Sequence, residues 1–437
     1  MSPALPRPDL PSPALPSFDE AAALVAAYAA KRARVRPSVE RVKLGKASGR
    51  VLAQPLRADR DQPPFARSTR DGFACRAAEA SRHRALAVAG ATRAGEAPSG
   101  PLPRGSAWEI MTGASVPLGA DAVMMLEHLE TVGGPSARTV RLLPPRIVEE
   151  GENIVARGAQ ARKGDELLPA GTAIGMAQVA LAAACGCAEL KVFARPRVAI
   201  LPTGDELVPI RSSPVPGQIR NSSGAMLAAL VSAAGGAPWV LPAARDRAKA
   251  LDAALARAAS ADLLLITGGV SAGKFDLVEP ALARAGARFY FTGVRIQPGK
   301  PLVFGERPGR SMELNQKLRC MQCFFGLPGN PVSSAVTFLL FAAPVLAALA
   351  GRAQGSSLGR GPRFALARLT SDVKAKQGLT RFLPAACTFA GPLPQVALVP
   401  WQGSGDLAAM ARANCFLVVP EEGGCLHAGA TVRILLS

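Results

Sequence analysis

Residues 266–276 read ITGGVSAGKFD, directly after the apolar run Ala261-Asp262-Leu263-Leu264-Leu265. Gly268, four intervening residues, Gly273 and Lys274 reproduce the spacing of the phosphate-cradling loop of nucleoside triphosphatases, yet Phe275 stands where that loop carries a magnesium-binding hydroxyl. The stretch is therefore read as a strand, Leu263 to Ile266, entering a phosphate-binding turn of another kind. Outward from it the same alternation repeats. Val198 to Leu201 and Pro238 to Leu241 read as strands, and Arg288 to Ile296 as a strand region. Helical patterns near 224–234, 246–259 and 276–285 separate them. Strands linked by helices predict parallel pairing and a doubly wound α/β domain over 191–351.

In such a sheet ligands bind beyond the carboxyl ends of the strands, and here the strand-end segments are polar and glycine-rich. They are Pro202-Thr203-Gly204-Asp205-Glu206, Ala244-Arg245-Asp246, Thr267-Gly268-Gly269-Val270-Ser271, Gln297-Pro298-Gly299-Lys300-Pro301 and Gly326-Leu327-Pro328-Gly329-Asn330-Pro331. Glycines let backbone N–H groups approach an anion, helix starts add partial positive charge, and Lys300 adds a full one. Glu206, Asp246 and Asp276 arrive from three strand ends, the donor set of a hard, oxygen-loving cation such as magnesium. Their convergence carries this reading, because a single such acid is more simply a helix cap or a solvated side chain.

The remainder divides by composition. Residues 1–17 are a Pro-rich lead-in, with neither the apolar core of a signal peptide nor the arginines of a transit peptide, which predicts a cytoplasmic protein. Ser17 caps a helix from Phe18 to about Lys31, and Ile174 to Leu181 is a second helical segment that pairs with it. Short β-prone runs between Pro and Gly turns make 49–148 a small mixed or β domain, and 352–437 a C-terminal β domain. The net charge of +19 is spread along the chain and only 5% of residues are aromatic, which argues against a nucleic-acid surface. The uncharged stretch from Val332 to Ala350 contains Pro344 and lies within the α/β pattern, so it is read as a buried helix rather than a membrane span. Eight Cys and three His give no disulfide framework; the close pairs Cys185/Cys187 and Cys320/Cys323 would make a zinc site only by meeting in space.

Taken in order, SxxDGFA at Ser68 to Ala74, IMTGASVPLGADAVMMLE at 110–127, PTGDEL, ITGGVSxGxxD, PGKP and GLPGNPVS resemble the molybdopterin molybdenumtransferases, relatives of the gephyrin C-terminal region. GENIVARGAQ at 151–160, GQIRNSSG at 217–224, GLTRFLPA at 378–385 and QGSGDLAAMARAN at 402–414 extend the resemblance over nearly the whole chain. It implies a discontinuous N-terminal domain (18–48 and 149–190), the inserted domain, the α/β domain, the C-terminal β domain, and an elongated homodimer. The implied reaction takes adenylylated molybdopterin and molybdate, breaks the phosphoanhydride, releases AMP and leaves molybdenum on the dithiolene, with magnesium required.

By resemblance, Asp246 and Asp276 hold the metal with help from Glu206; Lys300, Ser271 and the Gly-rich backbones at Gly268, Gly269, Gly273, Gly299 and Gly329 bind phosphate, and Pro298, Pro328 and Asn330 are further substrate-binding positions. Asp71 and Thr112 complete the molybdate side, and Arg381 and Ser404 contact anionic substrate. Transient contacts with the adenylyltransferase and with molybdoenzymes are also implied. The chain departs from the family at Gln160, Gln297 and Thr69-Arg70, where an acid, a Lys or Arg, and a small apolar pair are frequent. Ser311 to Cys323 is read as an inserted surface loop. The competing readings are a molybdopterin adenylyltransferase, which uses a similar α/β domain, and a non-catalytic scaffold of the same fold.

Overall fold

The computed structural model describes residues 15–133, 138–269, 277–309, 321–353, 361–389 and 391–437. Ser271, Gly273 and Asp276, and positions 311–320 of the inserted segment, lie outside the described residues. The chain divides into two compact units, one of residues 1–53, 171–175 and 190–437, the other of 54–170 and 176–189.

In the first unit six strands form one sheet, in the order Ala237–Val240, Arg197–Pro202, Leu263–Thr267, Met321–Leu327, Val303–Pro308 and Arg288–Thr292. The first four are mutually parallel. The expectation of wholly parallel pairing is corrected at Val303–Pro308, which runs antiparallel to both neighbours. Only residues 293–302 separate it from Arg288–Thr292, and they hold no helix, so the chain reverses instead of crossing over.

Alternation along the strands supplies both faces. Val198, Ile200, Leu263, Leu265, Phe304 and Phe325 pack beneath the helices Phe18–Arg32, Ser222–Ala233 and Pro331–Leu349. Ala199, Leu201, Leu264, Ile266 and Phe324 pack beneath Ala248–Ala258 and Val278–Arg284. The long uncharged helix is core, as its pattern implies: Val332, Val336, Phe338, Phe341 and Leu346 are all buried. Pro344 has no N–H to offer, and the turn before it, Phe338–Ala342, widens to a π-helix.

Ser17 caps Phe18–Arg32 as expected: its hydroxyl accepts from Glu20 N–H at 3.2 Å and Glu20 Oε2 accepts from Ser17 N–H at 2.8 Å. The helix packs in the α/β core, with the Phe18 ring edge-on to Phe341 and to Phe382 of the barrel and Tyr28 against Phe304. The second helical segment, observed as Met176–Ala184, belongs to the other unit, so the proposed pair does not share one compact body.

The C-terminal region closes on itself. Thr380–Thr388, Gln395–Leu398, Phe364–Leu369, Thr431–Leu436 and Cys415–Val419 pair in turn, and the last returns to the first, making a five-stranded barrel with Ile296–Gln297 added outside. Closure leaves few strand edges unpaired. In the second unit a six-stranded sheet runs Ala122–Met125, Gly72–Cys75, Ser106–Ile110, Leu86–Thr92, Thr139–Leu142, Leu129–Val132 over a core including Phe73, Ala107 and Met124.

The inserted segment ends earlier than its composition suggests. Met321, Gln322 and Cys323 are strand residues, paired with Pro308, Arg307 and Glu306. Cys323 is fully buried, and that burial pushes its thiol far above the usual range, so it is a core thiol and not half of a redox pair. Gln322 donates to Ala258 O (2.7 Å) and Ala261 O (2.6 Å), and its Oε1 accepts from Arg307 Nε (2.8 Å), while Arg307 also reaches Leu255 O (2.8 Å). A buried cation without an acidic partner among the described residues is thus satisfied by the carbonyl end of Ala248–Ala258. Gln322→Leu, which keeps the volume and strands these groups, is expected to cost about 2–4 kcal/mol; urea unfolding followed by far-UV circular dichroism checks it, and an unchanged midpoint contradicts it.

Candidate active site at the carboxyl edge of the sheet

Three loops leave adjacent parallel strands and continue their ladder past the last strand residue. Thr203 N–H donates to Thr267 O (2.8 Å), Gly268 N–H to Leu327 O (3.2 Å) and Gly204 N–H to Ala244 O (3.1 Å). The backbones are forced close. Gly268 has φ +93°, and a Cβ there would stand 2.5 Å from Thr203 O; a Cβ on Gly329 would stand 3.4 Å from Gly268 Cα. Gly204, at φ +142°, leaves the space over which the Glu206 carboxylate folds.

These loops floor a cleft of about 710 Å³ lined by Glu206, Asp246, Gly268, Gly269, Gly329 and Asn330, with Pro301 and Pro328 at its walls. Two helix N-termini also reach it: Asn221, Ser222 and Ser223 open Ser222–Ala233, and Asn330 and Pro331 open the buried helix. Asn221 Oδ1 accepts from Gly224 N–H (2.9 Å), and Ser223 Oγ donates to Gly329 O (3.2 Å). The N–H groups of Gly204 and Gly268 are spent on carbonyls, whereas those of Gly269, Gly329 and Asn330 have no acceptor among the described residues. The cleft therefore offers an anion two helix ends and uncommitted N–H donors.

Facing them are acids. The Asp246 carboxyl is held above the ordinary carboxylate range, first by partial burial in the cleft and then by the negative charges of Asp205 and Glu206, against a hydrogen bond from Asp205 N–H. Among the described residues no Lys or Arg pairs with any of the three, although Arg245 and Arg247 flank Asp246 in sequence. Glu206 and Asp246 are oxygen donors of the kind a hard divalent cation takes, but among the described residues the three acids do not draw together as one ligand set.

Other expected residues fall around this cleft or outside it. Ser404 stands beside it: its hydroxyl accepts from Asn330 Nδ2 (2.8 Å) and its carbonyl from Val332 N–H (3.1 Å), so it positions the Asn330 loop while Gly405 and Leu407 line the wall. Lys300 is exposed and not part of the lining; its neighbour Pro301 is. Pro298 and Gly299 are buried, and a Cβ on Gly299 would meet Thr337 Cγ2 at 2.6 Å, so this glycine serves packing against the long helix. Arg381 is engaged with Gln297 Oε1 (3.0 Å) and the carbonyls of Lys376 and Leu379, at the pairing of their strands. In the second unit Asp71 and Thr112 do meet: Asp71 Oδ1 accepts from Thr112 N–H (2.6 Å) and Thr112 Oγ1 (3.0 Å), and these bonds hold the carboxyl below its usual range. Asn221, Ser222 and Ser223 belong to the GQIRNSSG segment of the resemblance but carry no expected site role, although Asn-Ser-Ser before an apolar helix is a capping pattern.

The chain matches three family models in succession: the MoeA N-terminal region (domain I and II) over 16–186, a probable molybdopterin binding domain over 199–348, and the MoeA C-terminal region (domain IV) over 366–437. It is 32% identical over 441 residues to a molybdopterin molybdenumtransferase of Nostoc sp., covering 99% of this chain and 97% of that one. The chain belongs to the molybdopterin molybdenumtransferase family. A Bacillus subtilis relative of the same name is 34% identical over 400 residues, covering 89% of this chain and 87% of that one. The crystal structure of the molybdopterin biosynthesis moeA protein of Pyrococcus horikoshii OT3 superposes with a TM-score of 0.76 at 27% identity, covering 97% of this chain and 100% of that one. The fold class and family expected from the motifs stand, and the family's members are transferases.

Asp246→Asn tests the crowding of acids. A carboxyl whose folded pKa is raised costs stability above that pKa, and the cost vanishes below its unfolded value of about 3.9. In chelator at pH 7.5 the variant is expected to melt at or above the wild-type temperature, the gap narrowing towards pH 4. Magnesium should raise the melting temperature of the wild type alone. A variant that melts well below wild type in chelator contradicts the reading.

Proposed function

We propose that this chain inserts molybdenum into molybdopterin, taking the adenylylated form and molybdate, hydrolysing the phosphoanhydride, releasing AMP and leaving the metal on the dithiolene. The observation that carries this is the cleft itself, which anion-binding helix ends line together with Glu206 and Asp246, acids that have no counter-charge among the described residues. A phosphoanhydride held together with a divalent cation needs both. The names of the relatives support the substrate class.

Asp246 and Glu206, with Asp276 one residue past Phe275, would hold magnesium, whose charge offsets that of the phosphates. The N-termini of Ser222–Ala233 and of the Pro331 helix, with the N–H groups of Gly269, Gly329 and Asn330, orient the pyrophosphate oxygens. Ser404, through Asn330, fixes that loop in place. Lys300 supplies mobile positive charge from the adjacent turn, and the Asp71–Thr112 pair serves molybdate. The protein acts as a homodimer in the cytoplasm.

The deciding assay supplies adenylylated molybdopterin, magnesium and molybdate and measures AMP and active cofactor. Wild type should release AMP in a molybdate-dependent way, and Asp246→Asn and Asp71→Asn should each lose at least about a hundredfold in turnover. Pyrophosphate release from ATP and molybdopterin would instead identify an adenylyltransferase, and no turnover with tight substrate binding a scaffold. Mixing Asp71→Ala and Asp246→Ala chains tests the dimer reading: recovered activity means that one copy supplies each half of a shared site.

A further inference from the structure

We propose that Asp372, Cys425 and His427, on the C-terminal barrel, bind a divalent transition metal of the zinc class. Cys425 lies in, and Asp372 and His427 directly flank, a two-stranded ladder in which Val373–Ala375 pairs antiparallel with Gly424–Leu426, Val373 opposite Leu426 and Lys374 opposite Cys425. Val373 is buried and Leu426 packs against the barrel core. Cys425 and His427, flanking Leu426, therefore turn to the outer face, and Asp372, one residue before Val373, turns with them.

The distances favour ligation over hydrogen bonding. Cys425 Sγ lies 3.7 Å from His427 Nδ1, His427 Nδ1 lies 3.4 Å from Asp372 Oδ2, and one donor atom from each residue falls within 4.8 Å of the others. An N–H···O bond is normally about 2.7–3.2 Å long. Tetrahedral zinc, with bonds of about 2.3 Å to sulfur and about 2.0–2.2 Å to nitrogen and oxygen, holds S and N about 3.6 Å apart and N and O about 3.4 Å apart. The two spacings that involve His427 are those of ligands around one ion, and the carboxylate and the thiol lie within 4.8 Å of each other.

The donors are also oriented from behind. Asp372 Oδ1 accepts from Ala428 N–H at 2.8 Å, which leaves Oδ2 directed at the histidine. His427 O accepts from Ala430 N–H (3.1 Å) and Gly429 N–H donates to Leu369 O (2.8 Å), tying the histidine's turn to the barrel. Thiolate and imidazole select zinc, cobalt or nickel and disfavour magnesium, so this site is chemically separate from the all-oxygen cluster of the cleft. Asp372 and His427 are exposed, leaving a fourth position to water or to an outside ligand. Lys374 shares the outer face across from Cys425, on a stem long enough to move its charge into water.

The test uses full-length protein, reduced and stripped with chelator, titrated at pH 7.5 with zinc against a chromophoric indicator and with cobalt as a spectroscopic reporter. One equivalent is expected to bind, with a near-ultraviolet thiolate-to-cobalt absorption. Cys425→Ser should remove that absorption, and Asp372→Asn and His427→Ala should each weaken zinc binding by at least about tenfold, while a Cys185→Ser/Cys187→Ser protein should behave as wild type. Zinc should also protect Cys425 of unaltered protein from alkylation, which reads the site without any variant. The proposal falls if wild type binds no zinc at micromolar concentration, if the thiolate band survives in Cys425→Ser, or if zinc leaves Cys425 alkylation unchanged.

Discussion

The contact on which the cleft depends is the passage of three backbones within van der Waals distance at one end of the sheet. Thr203, Gly268 and Gly329 leave neighbouring strands, and the Thr203–Thr267 and Gly268–Leu327 hydrogen bonds hold them together. A methyl group at Gly268 would displace the Thr203 carbonyl, and with it the loop carrying Glu206. Glycine at this position is thus a requirement of strand packing before it is one of ligand binding. Beyond this crowding, the N–H groups of Gly269, Gly329 and Asn330 have no acceptor among the described residues.

The barrel is coupled to this arrangement through apolar contact and through one polar tie. Phe18 touches Phe341 of the long helix and Phe382 of the barrel, so a single aromatic cluster spans the α/β core and the C-terminal region. At the cleft rim, Ser404 receives the Asn330 amide and the Val332 N–H, so the start of the long helix is held from the barrel side. Ile296–Gln297 adds a third link, pairing with Thr380 and Arg381. Arg381 and Ser404, which the motifs assign to substrate, are both held in these links within the described structure.

Much of this was legible in the sequence because period and punctuation agree there. Leu263 to Ile266 before Gly-Gly, the Ser17-Asp19-Glu20 cap and the strand-end polar segments each signal an element and its end, and the structure follows them. The reversal at Val303–Pro308 was harder to see, since a buried strand is apolar whichever way it runs and only the missing helix betrays it. Met321 to Cys323 read as loop because they end a segment that looks inserted before the GLPGNP turn, yet the Gln322 side chain is the buried cap of a helix. Cys425 and His427 escaped attention because a ligand pair two apart on a strand gains its third member, Asp372, from more than fifty residues away.

Charge explains why a strongly basic chain keeps acids in its cleft. The excess of 51 Lys and Arg over 32 Asp and Glu is distributed along the sequence, and a field of that sign raises the local concentration of polyanions. It acts over a Debye length of about 8–10 Å and selects nothing beyond sign. Inside the cleft the order is inverted: Glu206 and Asp246 line it, Asp246 feels the negative charges of Asp205 and Glu206, and two helix ends share the same lining. An anion arriving alone would gain the helix ends and be repelled by the carboxylates. On the proposed function, an anion arriving with a divalent cation would satisfy both sides at once, and the acids would convert a general attraction for anions into selection for the metal-bound form.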